Sequence, residues 1–163
     1  MVSKITIGQG YDVHQLKIGL PLIIGGVHIP NNKGVVAHSD GDVLIHAIID
    51  ALLGAANMGD IGQMFPNSKK WEKATGLHML DKTRNALENI LGPRFHVINI
   101  DSTIILEKPK LSSYIPQMKS NIAEMLPMDE DDLSIKATTT DKLGFIGLEQ
   151  GIAAQAICLI QWQ

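Results

Sequence analysis

The fold of this chain turns on the stretch AHSDGDVLIHAIIDALLGAA, Ala37 to Ala56. Val43, Leu44, Ala47, Ile48, Ala51 and Leu52 recur at helical spacing and form the stripe that a helix buries. Asp42, His46 and Asp50 follow at i, i+4 and i+8, so they stack along one side of the same helix. The pattern predicts a helix over Ser39 to Ala56, with Ser39 as N-cap and Asp42 three residues on, close to a capping box. Two carboxylates and an imidazole beside a buried stripe need partners from elsewhere in the chain.

Upstream, YDVH supplies candidates. KITIGQGYDVHQL reads as a strand, with Ile5 and Ile7 alternating with polar residues, and Asp12 and His14, two apart, then share one face. A carboxylate and an imidazole pointing the same way make half of a tetrahedral zinc site, and His46 is the natural third ligand. Three protein ligands leave a fourth position open, the arrangement of catalytic rather than structural zinc. Asp42 or Asp50 is expected to orient the His46 ring. The same Asp-x-His pair also fits a plain surface pair on an edge strand.

The rest of the chain completes an α+β pattern. PLIIGGVHIP reads as a second strand or hairpin arm, and MGDIGQMFPNSKKW as loop. Helices are expected over Ala74–Leu91 and Leu111–Leu126, and strands over Phe95–Leu106, LSIKATTT and GIAAQAICLIQW. The expected architecture is a single compact domain over residues 1–163, a mixed β-sheet covered by helices on one side.

Composition excludes several classes. The chain has 163 residues, 45 % hydrophobic and 19 % charged, as a soluble globular domain has. A net charge of −3 offers no basic surface for nucleic acid. No apolar run reaches the roughly 20 residues of a membrane span, and MVSKITIGQG lacks the apolar region of a secretory signal. The single cysteine, Cys158, sits in an apolar run and reads as a buried thiol in a reducing compartment. A cytoplasmic location in a bacterium is expected, or the plastid stroma for a mature organellar form.

Further motifs suit phosphate. His38 and Ser39 precede the helix, where free N–H groups and the dipole favour an anion; a solvated capping turn fits equally. ATTTDK, Ala137–Lys142, sets three hydroxyls and a carboxylate at a strand end, and Asp141 has the hard oxygen that Mg²⁺ prefers. EKPK, Glu107–Lys110, offers two lysines, and GDIG, Gly59–Gly62, is a tight turn with one carboxylate.

GQGYDVH, AHSDGDVLIHAIIDALLGAA, GDIGQMFP, DSTIILEKPKL and KATTTDKLGF occur in this order, and through them nearly the whole chain resembles the 2-C-methyl-D-erythritol 2,4-cyclodiphosphate synthase family. The resemblance implies a homotrimeric enzyme of the non-mevalonate isoprenoid pathway, a phosphorus–oxygen lyase with active sites between subunits. Its substrate would be 4-diphosphocytidyl-2-C-methyl-D-erythritol 2-phosphate, whose 2-phosphate attacks the β-phosphorus and expels CMP. It implies Zn²⁺ on Asp12, His14 and His46, and Mg²⁺ or Mn²⁺ held by Asp141 with the substrate diphosphate. His38 and Thr139 match positions that stabilise the transition state. Ser39, Asp60, Ile61, Gly62 and Phe65 match contacts to the methylerythritol phosphate end. Leu106, Glu107, Lys108, Pro109, Lys110, Leu111 and Ser112, with Thr138, Thr140 and Phe145, match the cytidine and phosphate pocket. The alternative on the same scaffold is a non-catalytic metal- or isoprenoid-binding trimer.

The chain departs from the family pattern at Asp141, where many relatives have Glu, and at Asn67, where Asp is common. In GFIGLEQG, Leu148 and Gln150 stand where relatives often show the Arg and Glu of GRGEG, which removes a cation expected near the three-fold axis.

Overall fold

A computed structural model describes residues 3–163; Met1 and Val2, the start of the stretch read for a leader, lie outside the described residues. Strand β1 (Lys4–Ile18) pairs antiparallel with β7 (Gly151–Trp162), from Lys4 opposite Trp162 to Gln15 opposite Gly151. β5 (His96–Ile105) lies antiparallel on the other side of β7, and β6 (Leu133–Thr138) runs parallel to β5. The short β4 (Lys33–Val35) borders the end of β1, giving a mixed sheet in the order β4-β1-β7-β5-β6. The parallel pair requires a crossover, and α4 (Ile115–Ala123) lies in it, burying Met118 and Ile122 as the spacing predicts.

Helix α1 (Val43–Ala55) packs across β1 and β7 with most of its residues buried, and α3 (Gly76–Leu91) packs on α1. The contact with β1 is backbone against backbone. A Cβ on Gly8 would lie 1.9 Å from the Ala51 carbonyl oxygen, and one on Gly10 would lie 1.9 Å from that of Ala47. The Thr6 hydroxyl donates to the Ala55 carbonyl at 2.8 Å. Helix residues four apart are about 6 Å apart along the axis, and strand residues two apart about 6.7 Å. The steps therefore match, Thr6 with Ala55, Gly8 with Ala51 and Gly10 with Ala47. The next strand position on that face is Asp12, at the start of α1.

Several expectations change. α1 begins at Val43, not Ser39, and its N-cap is Asp42. The Asp42 carboxylate is fully buried; Oδ1 accepts from the Gly25 and Ile45 amides at 2.9 and 3.1 Å, and Oδ2 from Gly26 at 2.7 Å. Ser39 instead accepts from the Gly41 amide. PLIIGGVHIP does not join the main sheet. It forms a hairpin of its own, β2 (Ile23–Ile24) and β3 (Val27–His28), turning at Gly25 and Gly26, both at positive φ. Its turn amides are those that hold Asp42. The region read as loop carries a turn of helix, α2 (Ile61–Met64), and a 3-10 turn over Lys69–Trp71. α5 (Gly144–Gly147) has no counterpart in the sequence reading.

Ile5 and Ile7 face away from α1. With Tyr11, Val13 and Ile157 they leave an exposed, largely apolar sheet face that this chain does not cover. Cys158 is buried as expected, and burial pushes its thiol up to about 12. Among the described residues no helix is long and apolar enough to cross a membrane.

Candidate metal centre and cavities

Asp12 and His14 stand on the α1 face of β1, just beyond Gly10, and His46 reaches them from the first turn of α1. The Asp12 carboxylate Oδ2 lies 2.8 Å from His14 Nε2 and 3.1 Å from His46 Nδ1, and the two ring nitrogens are 3.3 Å apart. Tetrahedral bonds of about 2.0–2.1 Å separate neighbouring ligand atoms by roughly 3.3 Å, so this triangle fits one divalent ion with little adjustment. Among the described residues this is the one group of three such donors converging on a point, and it can hold a metal ion.

The electrostatics match. Burial raises the Asp12 carboxyl, but hydrogen bonds from His14 and His46 outweigh it and hold the group at about 2. Burial likewise lowers His46, and the Asp12 carboxylate more than reverses this, so the imidazole titrates above its ordinary value near 6.5. The paired imidazolium thus stabilises the metal-free fold at low pH, and this contribution is lost as pH rises through the raised value. A metal at Nδ1 must displace that proton. Apparent metal affinity should therefore start to fall while the pH is still above about 6.5, by about tenfold per further pH unit for this one proton. Chelator competition from about pH 8 to 5 checks this; a flat profile down to about pH 6 contradicts it.

The expected orienting carboxylates do not reach His46. Its Nε2 faces the Ser39 hydroxyl at 3.4 Å. Asp42 is turned toward the hairpin amides. Asp50 accepts from the Ile61 amide at 2.7 Å and so ties α1 to α2. The N-terminus of α1 lies at Asp42, whose carboxylate caps it, and not at Ser39. His38 is exposed, and its Nε2 donates to the Ser68 carbonyl at 3.0 Å.

A cavity of ≈ 320 Å³ opens over the cluster, with His38, Ser39, Ile61, Gly62 and Phe65 in its wall. Trp71, which the sequence reading passed over, joins them, its ring meeting Phe65 edge-on with centroids 4.7 Å apart. The aromatic pair at positions 65 and 71 was the available signal. Asp60 is not in this wall; it caps α2, accepting from the Gln63 amide at 2.8 Å.

A second cavity of ≈ 260 Å³ gathers Leu106, Glu107, Pro109, Lys110, Leu111 and Ser112 with Thr138 and Thr139 at the end of β6. Lys108 points elsewhere, the Thr140 hydroxyl is spent on the Leu143 carbonyl at 2.7 Å, and Phe145 lines a third cavity with Val13 and Lys33. Asp141 is exposed, in a left-handed turn whose amide donates to the Thr139 hydroxyl. One chain therefore keeps the metal cluster and the threonine-lined cavity as separate cavities.

Known proteins resemble this chain in sequence and fold over nearly its whole length. The 2-C-methyl-D-erythritol 2,4-cyclodiphosphate synthase of Clostridium kluyveri is 52 % identical over 155 residues, 94 % of this chain and 93 % of its own. The bifunctional IspDF of Campylobacter jejuni superposes with a TM-score of 0.89 at 39 % identity, over 99 % of this chain but 43 % of that larger one. IspF of Plasmodium falciparum, in its CDP complex, gives a TM-score of 0.83 at 35 % identity over 98 % of this chain and 97 % of that one. The YgbB family model matches residues 5–161. By sequence and by fold, this chain belongs to the YgbB family, that of the 2-C-methyl-D-erythritol 2,4-cyclodiphosphate synthases.

Proposed function

We propose that this chain converts 4-diphosphocytidyl-2-C-methyl-D-erythritol 2-phosphate into 2-C-methyl-D-erythritol 2,4-cyclodiphosphate and CMP. The observation that carries the reading is the convergence of Asp12, His14 and His46 at the mouth of an apolar-walled cavity, in a chain about half identical to proteins of that name.

In this reaction an oxygen of the 2-phosphate forms a bond to the β-phosphorus. The bond from that phosphorus to the CMP oxygen breaks, and CMP leaves with the electron pair. The nucleophile is already anionic and tethered, so no general base is required; the protein supplies position and charge neutralisation. When bound, Zn²⁺ at Asp12, His14 and His46, and Mg²⁺ or Mn²⁺ at Asp141, would neutralise phosphate oxygens and polarise the reacting phosphorus. Ser39 holds the His46 ring in line for its ligand role. Ile61, Gly62, Phe65 and Trp71 wall the methylerythritol end and exclude water, while His38 and Thr139 donate to phosphate oxygens. Asp60, exposed at the cap of α2, is assigned to a sugar hydroxyl. The backbone of Leu106 to Ser112 reads the cytosine edge, and Thr138 with the backbone amide of Thr140, whose hydroxyl is turned to Leu143, holds the nucleotide phosphates. Lys108 and Phe145, which the resemblance assigns to that pocket, lie outside its wall in a single chain: Lys108 reaches Glu149, and Phe145 lines the third cavity.

A homotrimer completes the reading. The uncovered apolar face of β1 and β7 is supporting evidence, since a patch of this kind is buried in an assembly. So is the separation of the two cavities, which a neighbouring subunit would bring together. The test is to incubate purified protein with Mg²⁺ and the substrate. A synthase yields CMP and the cyclic diphosphate, a hydrolase yields CMP and an open-chain bisphosphate, and a binder yields neither. The same preparation should scatter light as three chains of 17.7 kDa; a fully active monomer contradicts the shared site.

A further inference from the structure

Glu149 stands where glycine is the expected residue. α5 ends in a Schellman motif, in which the Gln150 amide donates to the Phe145 carbonyl and the Glu149 amide to that of Ile146, both at 2.9 Å. Glu149 occupies the left-handed position of that motif, with φ at 56°. A side chain there strains the backbone, and glycine would relieve it.

The side chain has a purpose that glycine cannot serve. Its Oε1 lies 3.1 Å from Lys108 Nζ, and its Oε2 lies 3.9 Å from Lys33 Nζ. Lys33 also donates to the Glu149 carbonyl at 3.0 Å. Lys33 opens the edge strand β4, and Lys108 lies in the loop between β5 and α4. One carboxylate thus joins three segments that are far apart in sequence. The other arm of the Lys108 loop is tied to the same region, since the Lys142 amide donates to Glu107 at 3.4 Å. Glu107 and Pro109, the neighbours of Lys108, both line the ≈ 260 Å³ cavity. Lys108 itself does not line it.

We propose that Glu149 is a positioning residue for the nucleotide loop: through Lys108, and braced by Lys33, it holds Glu107–Lys110 in the shape that receives the cytidine phosphate. The inference rests on the reading of that cavity as the nucleotide pocket. Glu149 touches no reacting atom, so it sets affinity for the nucleotide and not the rate of the chemical step. The strained backbone and the ionic clamp then oppose each other, and removing the side chain should move stability and binding in different directions.

Two variants test this, each measured for CMP affinity by calorimetry, for KM and kcat, and for Tm. Glu149→Gly removes the carboxylate and frees the backbone; Glu149→Gln removes only the charge. Both should bind CMP about three- to tenfold more weakly, the range for two partly exposed ion pairs. KM should rise with kcat unchanged. Tm of Glu149→Gly should hold or rise, which loss of a merely structural contact would not give. Added salt should weaken the unaltered protein toward the variants, and Lys108→Met should add little to Glu149→Gln. Unchanged CMP affinity in both variants overturns the role of Glu149 while leaving the proposed reaction intact. An unaltered chain that binds no CMP overturns both.

Discussion

Replacing His46 by alanine should leave a folded protein that holds no zinc and releases no measurable CMP. His46 supplies one of three donors, and Asp12 and His14 alone form an incomplete site. Losing metal stabilisation of the transferred phosphate is worth several kcal/mol, so the rate should fall by roughly a thousandfold or more. The helix should survive, because its hold on the sheet comes from Ala47, Ala51 and Ala55 against β1 and from the buried leucines and isoleucines, none of which the change touches. Metal analysis and circular dichroism on one sample decide the matter. Stoichiometric zinc in the variant would remove His46 from the ligand set whatever happened to activity.

The larger effect on stability belongs to a residue with no place in the chemistry. Asp42→Ala should strip three amides of their acceptor, those of buried Gly25 and Ile45 and of half-buried Gly26. Each unsatisfied buried group costs about 1–3 kcal/mol, so the two buried amides alone should cost about 2–6 kcal/mol, enough at the upper end to unfold a marginal domain. Burial and the nearby Asp40 charge raise the Asp42 carboxyl to about 6, and the three amides pull against them, so part of the loss is offset where the group is ionised. Urea unfolding at neutral pH measures it. A loss under about 1 kcal/mol would mean that water reaches these amides once the carboxylate is gone. Asparagine is no substitute, since its amide nitrogen would meet the Gly26 N–H or leave one oxygen to serve three donors.

Half of the metal triad was readable because its geometry is local. A strand puts residues two apart on one face, which pairs Asp12 with His14; His46, 32 residues beyond His14, was a candidate by type and helix face, and the family's motifs joined the three. The choice between caps was not readable. Ser39 and Asp42 are both good N-caps by type, and the decision falls to the amides of Gly25 and Gly26, which reach Asp42 across 17 and 16 residues. Spacing alone set Asp42 and Asp50 beside His46, but each is claimed by a backbone amide that no periodicity reveals. Alternation in β1 shows that one side is apolar without showing which side is inward, and the glycines, not Ile5 and Ile7, face the helix. β4 and α5 are too short to carry a pattern. The family's motifs supplied the remaining assignments, including those that depend on a neighbouring subunit.

The glycine seam between β1 and α1 also says where this enzyme is brittle. One methyl group at Gly10 would have to open the seam by about 1.5 Å, from 1.9 Å to the 3.4 Å at which ordinary contact begins. Metal–ligand distances tolerate about 0.2 Å. The dimensional margin of the metal centre is thus several times smaller than the smallest step that mutation can take two residues away. Drift can remodel the loops around the pocket freely, while the seam is frozen by a requirement that no side chain expresses. Anyone retuning the centre for another ion has little to gain from new ligands alone; the spacing between helix and strand is the adjustment that matters, and in this chain it is already at its lower limit.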